Sequence, residues 1–208
     1  MNILNLFKKR GPEIPVSSNA AERYEVILSG AGGQGLILAG KILAEAASIY
    51  DNKEAVMSQS YGPEARGGAS RAEVIISSSA IDYPKVTRAD ILLAMTQQAL
   101  DKYGAMLEED GLLVVNQAVV KDIPAHFKNV FKAPFDSLSM ELLELSIASN
   151  LIALGALVSI TRVVSKEALI RACLGRVPQK FIVPDRVAID IGFKVVQDSG
   201  FKWENPKK

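Results

Sequence analysis

At 208 residues, with 49% apolar and 23% charged side chains, the chain is long enough to bury a full core as a single domain. Its net charge of +1 points to neither nucleic acid nor an anionic membrane as the main partner. One cysteine, Cys173, and one histidine, His126, exclude an internal disulfide, a cysteine-bound iron–sulfur cluster and a structural zinc site built by this chain alone.

Residues 1–23 read as a disordered tail. An apolar patch, Met1 to Phe7, precedes Lys8-Lys9-Arg10, the reverse of a secretory signal. The domain is expected over residues 24–200, followed by a C-terminal tail, residues 201–208, in which Phe201 and Trp203 could pack.

Tyr24 to Ser29 is an apolar first strand. Gly30-Ala31-Gly32-Gly33-Gln34-Gly35 follows, then an apolar helical pattern from Leu36 to Tyr50. Strand, G-x-G-x-x-G and helix form the first turn of a doubly wound α/β sheet. Gly30 is expected to make the tight turn, Gly32 to let phosphates approach the backbone, and Gly35 to seat the helix on the sheet. The unpaired N–H groups and positive dipole of the helix start favour an anion there. A dinucleotide site also needs an acid at the end of the second strand. That strand, Glu54 to Ser58, ends in Ser58-Gln59, which favours a phosphate-binding or purely structural turn over an NAD site.

The second loop, Ser58 to Gly68, carries Tyr61-Gly62-Pro63, a sharp turn, then Glu64, Arg66 and a release at Gly67-Gly68. Arg66 is a fork-shaped donor for phosphate or carboxylate. Leaving the second strand, this loop should share an edge with the glycine loop. Glu64 and Arg66 either face a common ligand or brace a loop or subunit interface.

Further strands are expected at Arg71–Ser77, Ala89–Met95, Leu112–Val115 after a turn at Asp110-Gly111, and Asn129–Ala133. Thr96 should cap a helix over Gln97–Tyr103 that Gly104 helps end. Asp136 or Ser137 should cap a helix bearing Leu138, Leu142, Leu145 and Ala148. Asn150 is read either as the cap of the next helix or as a group facing the site. Ser165 should cap Lys166–Leu174, closed by Gly175, and Asp185–Asp198 should be a last amphipathic helix with Val187, Ile191 and Val195 on one side. No apolar run approaches the roughly 18 residues of a membrane span. His126 reads as a loop histidine and Cys173 as a packed thiol whose unpaired state fits a reducing cytoplasm. The fold class is therefore α/β: one Rossmann-like, doubly wound domain on a mostly parallel sheet.

Gly30 to Gly35, the run from Ser58 through Tyr61-Gly62-Pro63-Glu64-Ala65-Arg66-Gly67-Gly68 to Ser77, and Asn150-Leu151-Ile152-Ala153-Leu154-Gly155-Ala156 together resemble the gamma subunits of 2-oxoacid:ferredoxin oxidoreductases over residues 24–200. Ser60 to Arg71, with Ile81-Asp82-Tyr83-Pro84, is most similar to the 2-oxoglutarate enzyme. The resemblance implies a complex that converts 2-oxoglutarate, coenzyme A and oxidised ferredoxin into succinyl-CoA, CO2 and reduced ferredoxin. It implies that thiamine diphosphate, magnesium and iron–sulfur clusters belong to partner alpha, beta and ferredoxin-like delta subunits in the cytoplasm. This chain would hold no catalytic residue, metal or cofactor by itself, and ferredoxin would be reached through the complex. Candidate contacts for coenzyme A are Gly30, Gly32, Gly33, Gln34, Gly35, Ser60, Tyr61, Gly62, Glu64, Arg66, Gly67 and Arg71. The alternatives are a free-standing NAD(P)-binding oxidoreductase and an assembly module with no small-molecule site.

Overall fold

The computed structural model describes residues 22–60, 69–144, 148–176 and 181–207. Its centre is a six-stranded sheet in the order β2-β3-β1-β4-β5-β6. The strands are β1 (Arg23–Ala31), β2 (Glu54–Ser60), β3 (Ala69–Ser77), β4 (Ala89–Ala94), β5 (Leu107–Asn116) and β6 (Asn129–Ala133). Pairs β1–β4, β4–β5 and β5–β6 are parallel, whereas β3 runs antiparallel to both β1 and β2. The mostly parallel, doubly wound expectation thus holds, with β3 as the reversed strand. The short 61–68 connection explains the reversal, because a parallel crossover needs a dozen or more residues.

Both sheet faces are covered, so the strands read as continuous apolar runs rather than alternating ones. Val26, Leu28, Ile91, Leu93, Leu112 and Val114 point to one side. There they meet α1 (Leu36–Glu45), α3 (Phe135–Leu143), α4 (Ser149–Thr161), α5 (Lys166–Leu174) and α6 (Ile182–Ser199). Ile27, Leu92, Leu113 and Val115 point to the other side, towards α2 (Gln97–Tyr103) and the loops carrying Val86, Val120 and Phe127. A π-helical turn, Ala46–Tyr50, extends α1 to the expected end of that helix.

Helix chemistry follows the residues where the caps are local. Thr96 accepts from the Ala99 N–H and Ser165 from the Ala168 N–H, as expected. Three expectations are corrected. Helix α3 begins after Pro134 without a side-chain cap. Asp136 instead accepts from Asn116 Nδ2 at 2.6 Å, and Leu142 is 58% exposed. Asp110-Gly111 is no turn but lies inside β5, where the β4–β5 register shifts. A Cβ on Gly111 would stand 2.7 Å from Leu107 and 3.0 Å from the Asp90 carbonyl, so glycine permits this bulge. Helix α6 buries Ala188, Ile189, Gly192 and Val196 rather than Val187, which is 39% exposed. Its seam is made of small residues because α4 lies against it backbone to backbone. A Cβ on Gly155 would come within 2.6 Å of the Ile189 carbonyl, and one on Gly192 would collide with the Ile152 carbonyl.

Residues 201–207 strap the sheet edge opposite the glycine loop. Phe201 meets Phe131 edge-on at 5.3 Å, and Trp203 Nε1 donates to the Asp110 carbonyl at 3.1 Å. Asn205 donates to Tyr24 Oη at 2.6 Å, and Lys207 Nζ reaches buried Asp90 at 2.8 Å and the Arg23 carbonyl at 2.7 Å.

Candidate functional site

Strand β1 feeds α1 on one face and its parallel neighbour β4 feeds α2 on the other. This reversal is a topological switch point, and the crevice between the carboxyl ends of two such strands is where open α/β sheets bind ligands. The Met95 N–H donates to the Ser29 carbonyl at 2.9 Å and holds the two strand ends together. The glycine loop forms one wall of the crevice and Thr96 begins the other.

Within the glycine loop, Gln34 folds back on the strand. Its Oε1 accepts from the Ala31 N–H at 2.8 Å and its own N–H donates to the Ala31 carbonyl at 3.2 Å. Gly30 does not make the turn. It remains in β1, paired with Ser70, and is bare because a Cβ would collide with Gln34 Oε1 and stand 3.0 Å from Met95. Gly33 and Gly35 turn the chain, with φ of 91° and 75°. Gly32 and Gly33 are exposed, with open space beside the Gly33 Cα. Gly35 is the α1 N-cap, but the helix is seated on the sheet by Gly40, whose absent side chain lets Ala72 approach. Sequence reasoning missed Gly40; a glycine inside an apolar helix was the available signal.

Asn150 lies behind this loop. It does not cap α4, whose N-cap is Ala148, but occupies the second position of that helix with 3% exposure. Its amide packs on Gly35, where a Cβ would collide with Nδ2, and its Oδ1 is buried with no hydrogen-bond partner. An acceptor left in that state costs about 1–3 kcal/mol. Helices α1 and α4 therefore begin side by side. Neither N-cap residue supplies a side-chain acceptor, and neither first turn carries an acid. By contrast, α2 and α5 are capped by side chains, and α3 and α6 carry Asp136 and Asp185 in their first turns.

Ser60 ends β2, exposed and directly opposite Arg71. Arg71 projects from the α2 face of β3, the face away from α1. Its guanidinium pairs with Glu73 at 3.0 Å and lies 4.9 Å over the Tyr103 ring, with Nε buried and unpartnered. A cavity of about 400 Å³ adjoins it, lined by Ser58, Ser60, Glu73, Lys85 and Met106 among others. The structure therefore does not bring Arg71 and the glycine loop onto one face. Tyr61, Gly62, Glu64, Arg66 and Gly67 lie outside the described residues. Because β3 stands between β1 and β2, the carboxyl end of β2 is two strand spacings, roughly 9–10 Å, from the end of β1. A ribose partner on β2 would thus be displaced from the glycine loop, against the dinucleotide reading.

Elsewhere, exposed His126 lies tilted against Phe127, with ring centroids 4.1 Å apart. Cys173 is fully buried, and burial pushes its thiol up to about 12. Among the described residues, no three His, Cys, Asp or Glu side chains group as metal ligands.

The family model of the pyruvate ferredoxin/flavodoxin oxidoreductases matches residues 25–195. The chain belongs to this family. The 2-oxoglutarate synthase subunit KorC of Methanocaldococcus jannaschii is 46% identical over 178 residues, covering 85% of this chain and 95% of that protein. The pyruvate synthase subunit PorC of the same organism is 28% identical over 158 residues, covering 72% of this chain and 84% of that one. The solved gamma subunit of a keto/oxoacid ferredoxin oxidoreductase from Geobacter sulfurreducens is 49% identical, with a TM-score of 0.77 over 84% of this chain and 99% of that one. Within the family the chain is of the gamma-subunit type.

Proposed function

We propose that the chain is the gamma subunit of a 2-oxoglutarate:ferredoxin oxidoreductase and acts only within the assembled complex. The observation that carries this reading is the 46% identity to KorC over nearly its full length, against 28% to PorC of the same organism. Thiamine diphosphate, magnesium and iron–sulfur clusters would sit on alpha, beta and delta subunits, since one buried cysteine supplies no cluster ligand set. No helix among the described residues is long and apolar enough to cross a membrane, and a cytoplasmic complex is the setting proposed.

The glycine loop is the proposed contact for coenzyme A. Its exposed Gly32-Gly33 tip and the unscreened start of α1 suit a phosphate, which accepts from backbone N–H groups and is drawn by the helix dipole. Arg66 is the proposed side-chain donor, and Arg66→Ala should raise the KM for coenzyme A while sparing that for the 2-oxoacid.

Anaerobic affinity capture from the native host tests the reading. The eluate should contain the thiamine-diphosphate and iron–sulfur subunits and reduce viologen with 2-oxoglutarate and coenzyme A, but poorly with pyruvate or 2-oxoisovalerate. A chain that elutes alone with NAD bound would overturn it.

A further inference from the structure

We infer that Asn150 is a ligand-positioning residue of the switch-point crevice, matched to a phosphate ester that carries a hydroxyl or amide N–H close to its phosphate. The inference rests on the proposed coenzyme A reading and adds a residue and a binding mode to it.

Two independent observations meet at one place. The first is the start of α1, a 10-residue helix with no side-chain cap and no acid in its first turn. Unpaired N–H groups there attract a phosphate. The second is the Asn150 amide in the first turn of α4, 97% buried, against half-exposed Gly35, with Oδ1 lacking a donor. The dianion of a simple phosphate monoester accepts but does not donate, and so satisfies the helix start alone. Satisfying both requires a ligand with acceptor oxygens and a donor a few bonds apart. The phosphopantetheine end of coenzyme A has that pattern: its pantoate hydroxyl lies three carbons from the ester oxygen, with an amide N–H just beyond.

A purely structural Asn150 makes a different prediction. Leucine has nearly the shape of asparagine and no polar atom. If Asn150 serves the ligand, Asn150→Leu relieves the orphaned oxygen, and the assembled complex melts at the same temperature or higher. Its KM for coenzyme A then rises at least tenfold, while that for 2-oxoglutarate stays within twofold.

A second measurement needs only the wild-type complex. 4′-Phosphopantetheine should compete with coenzyme A at least tenfold better than neopentyl phosphate, which has the same ester skeleton without hydroxyl or amide, and better than adenosine 3′,5′-bisphosphate. Equal competition by neopentyl phosphate, or an unchanged KM for coenzyme A in Asn150→Leu, overturns the inference. A leading role for adenosine 3′,5′-bisphosphate places the other end of the molecule here and also overturns it. A wild-type complex with no coenzyme A dependence at all overturns the functional reading, and this inference with it.

Discussion

Gly35 and Asn150 share one volume: the amide fills the space that a side chain at residue 35 would need. Gly35 also sits at φ 75°, in the left-handed region, which costs an L-residue about 1–2 kcal/mol. Gly35→Ala combines that strain with the collision. It should lower the urea midpoint by the equivalent of about 2–4 kcal/mol, with an unchanged m-value. Gly33→Ala is the control. It carries the backbone strain, φ 91°, but meets nothing within 4 Å, and should lose only the smaller amount. Equal losses in the two variants would mean that Asn150 yields freely. The position of the glycine loop was legible from its residues, but the role of each glycine was not. Gly30 is bare because Gln34 folds back beneath it, and Gly35 because a helix more than a hundred residues later brings an amide to it. No local pattern announces contacts of that range.

Elements were legible where their signals were local. The apolar runs of β1 and β4, the strand ahead of Pro134 and the caps Thr96 and Ser165 stand where the residues indicated. The failures come from tertiary packing. Of the bulky stripe of α6, Ile191 and Val195 pack partly buried against the core and only Val187 is exposed, while the fully buried seam runs through Ala188 and Gly192, where the helix comes closest to α4. Asp110-Gly111 resembles a turn in isolation and is held as a bulge in β5, where the Asp110 carbonyl accepts from Asn129 Nδ2 and Trp203 Nε1. The α4–α6 contact yields a second prediction. Gly192→Ala drives a methyl into the Ile152 carbonyl and to 2.6 Å from the Ala156 nitrogen. Overpacking of this kind costs about 1–3 kcal/mol. Thermal unfolding should show a drop in Tm, whereas Gly175→Ala, with 3.5 Å of clearance, should not.

At the scale of the molecule, the C-terminal strap is fastened through a buried charge. Asp90 is 5% exposed and accepts from the Glu25 N–H as well as from Lys207. Burial raises its carboxyl above the usual carboxylate value, partly countered by Lys207. The folded chain therefore protonates Asp90 at higher pH than the unfolded chain does. Its contribution to stability is greatest in acid and declines as pH rises through the folded pKa. Lys207 limits that decline, so Lys207→Ala should cost about 1–3 kcal/mol at neutral pH. The gap from wild type should close as the solution is acidified and Asp90 takes up its proton. Urea titrations of both proteins from neutral pH to about pH 4 measure this, and a gap independent of pH would mean that Lys207 acts through packing alone.

The strap also fixes where the ends of the domain lie. Lys207 Nζ donates to the carbonyl of Arg23, so the residues that open and close the described fold are neighbours on the edge away from the crevice. Two ends of a fold held this close suit insertion into another polypeptide. The domain could then be spliced into a longer chain, or tethered to an adjoining subunit, like a bead on a loop, with the glycine-loop rim undisturbed.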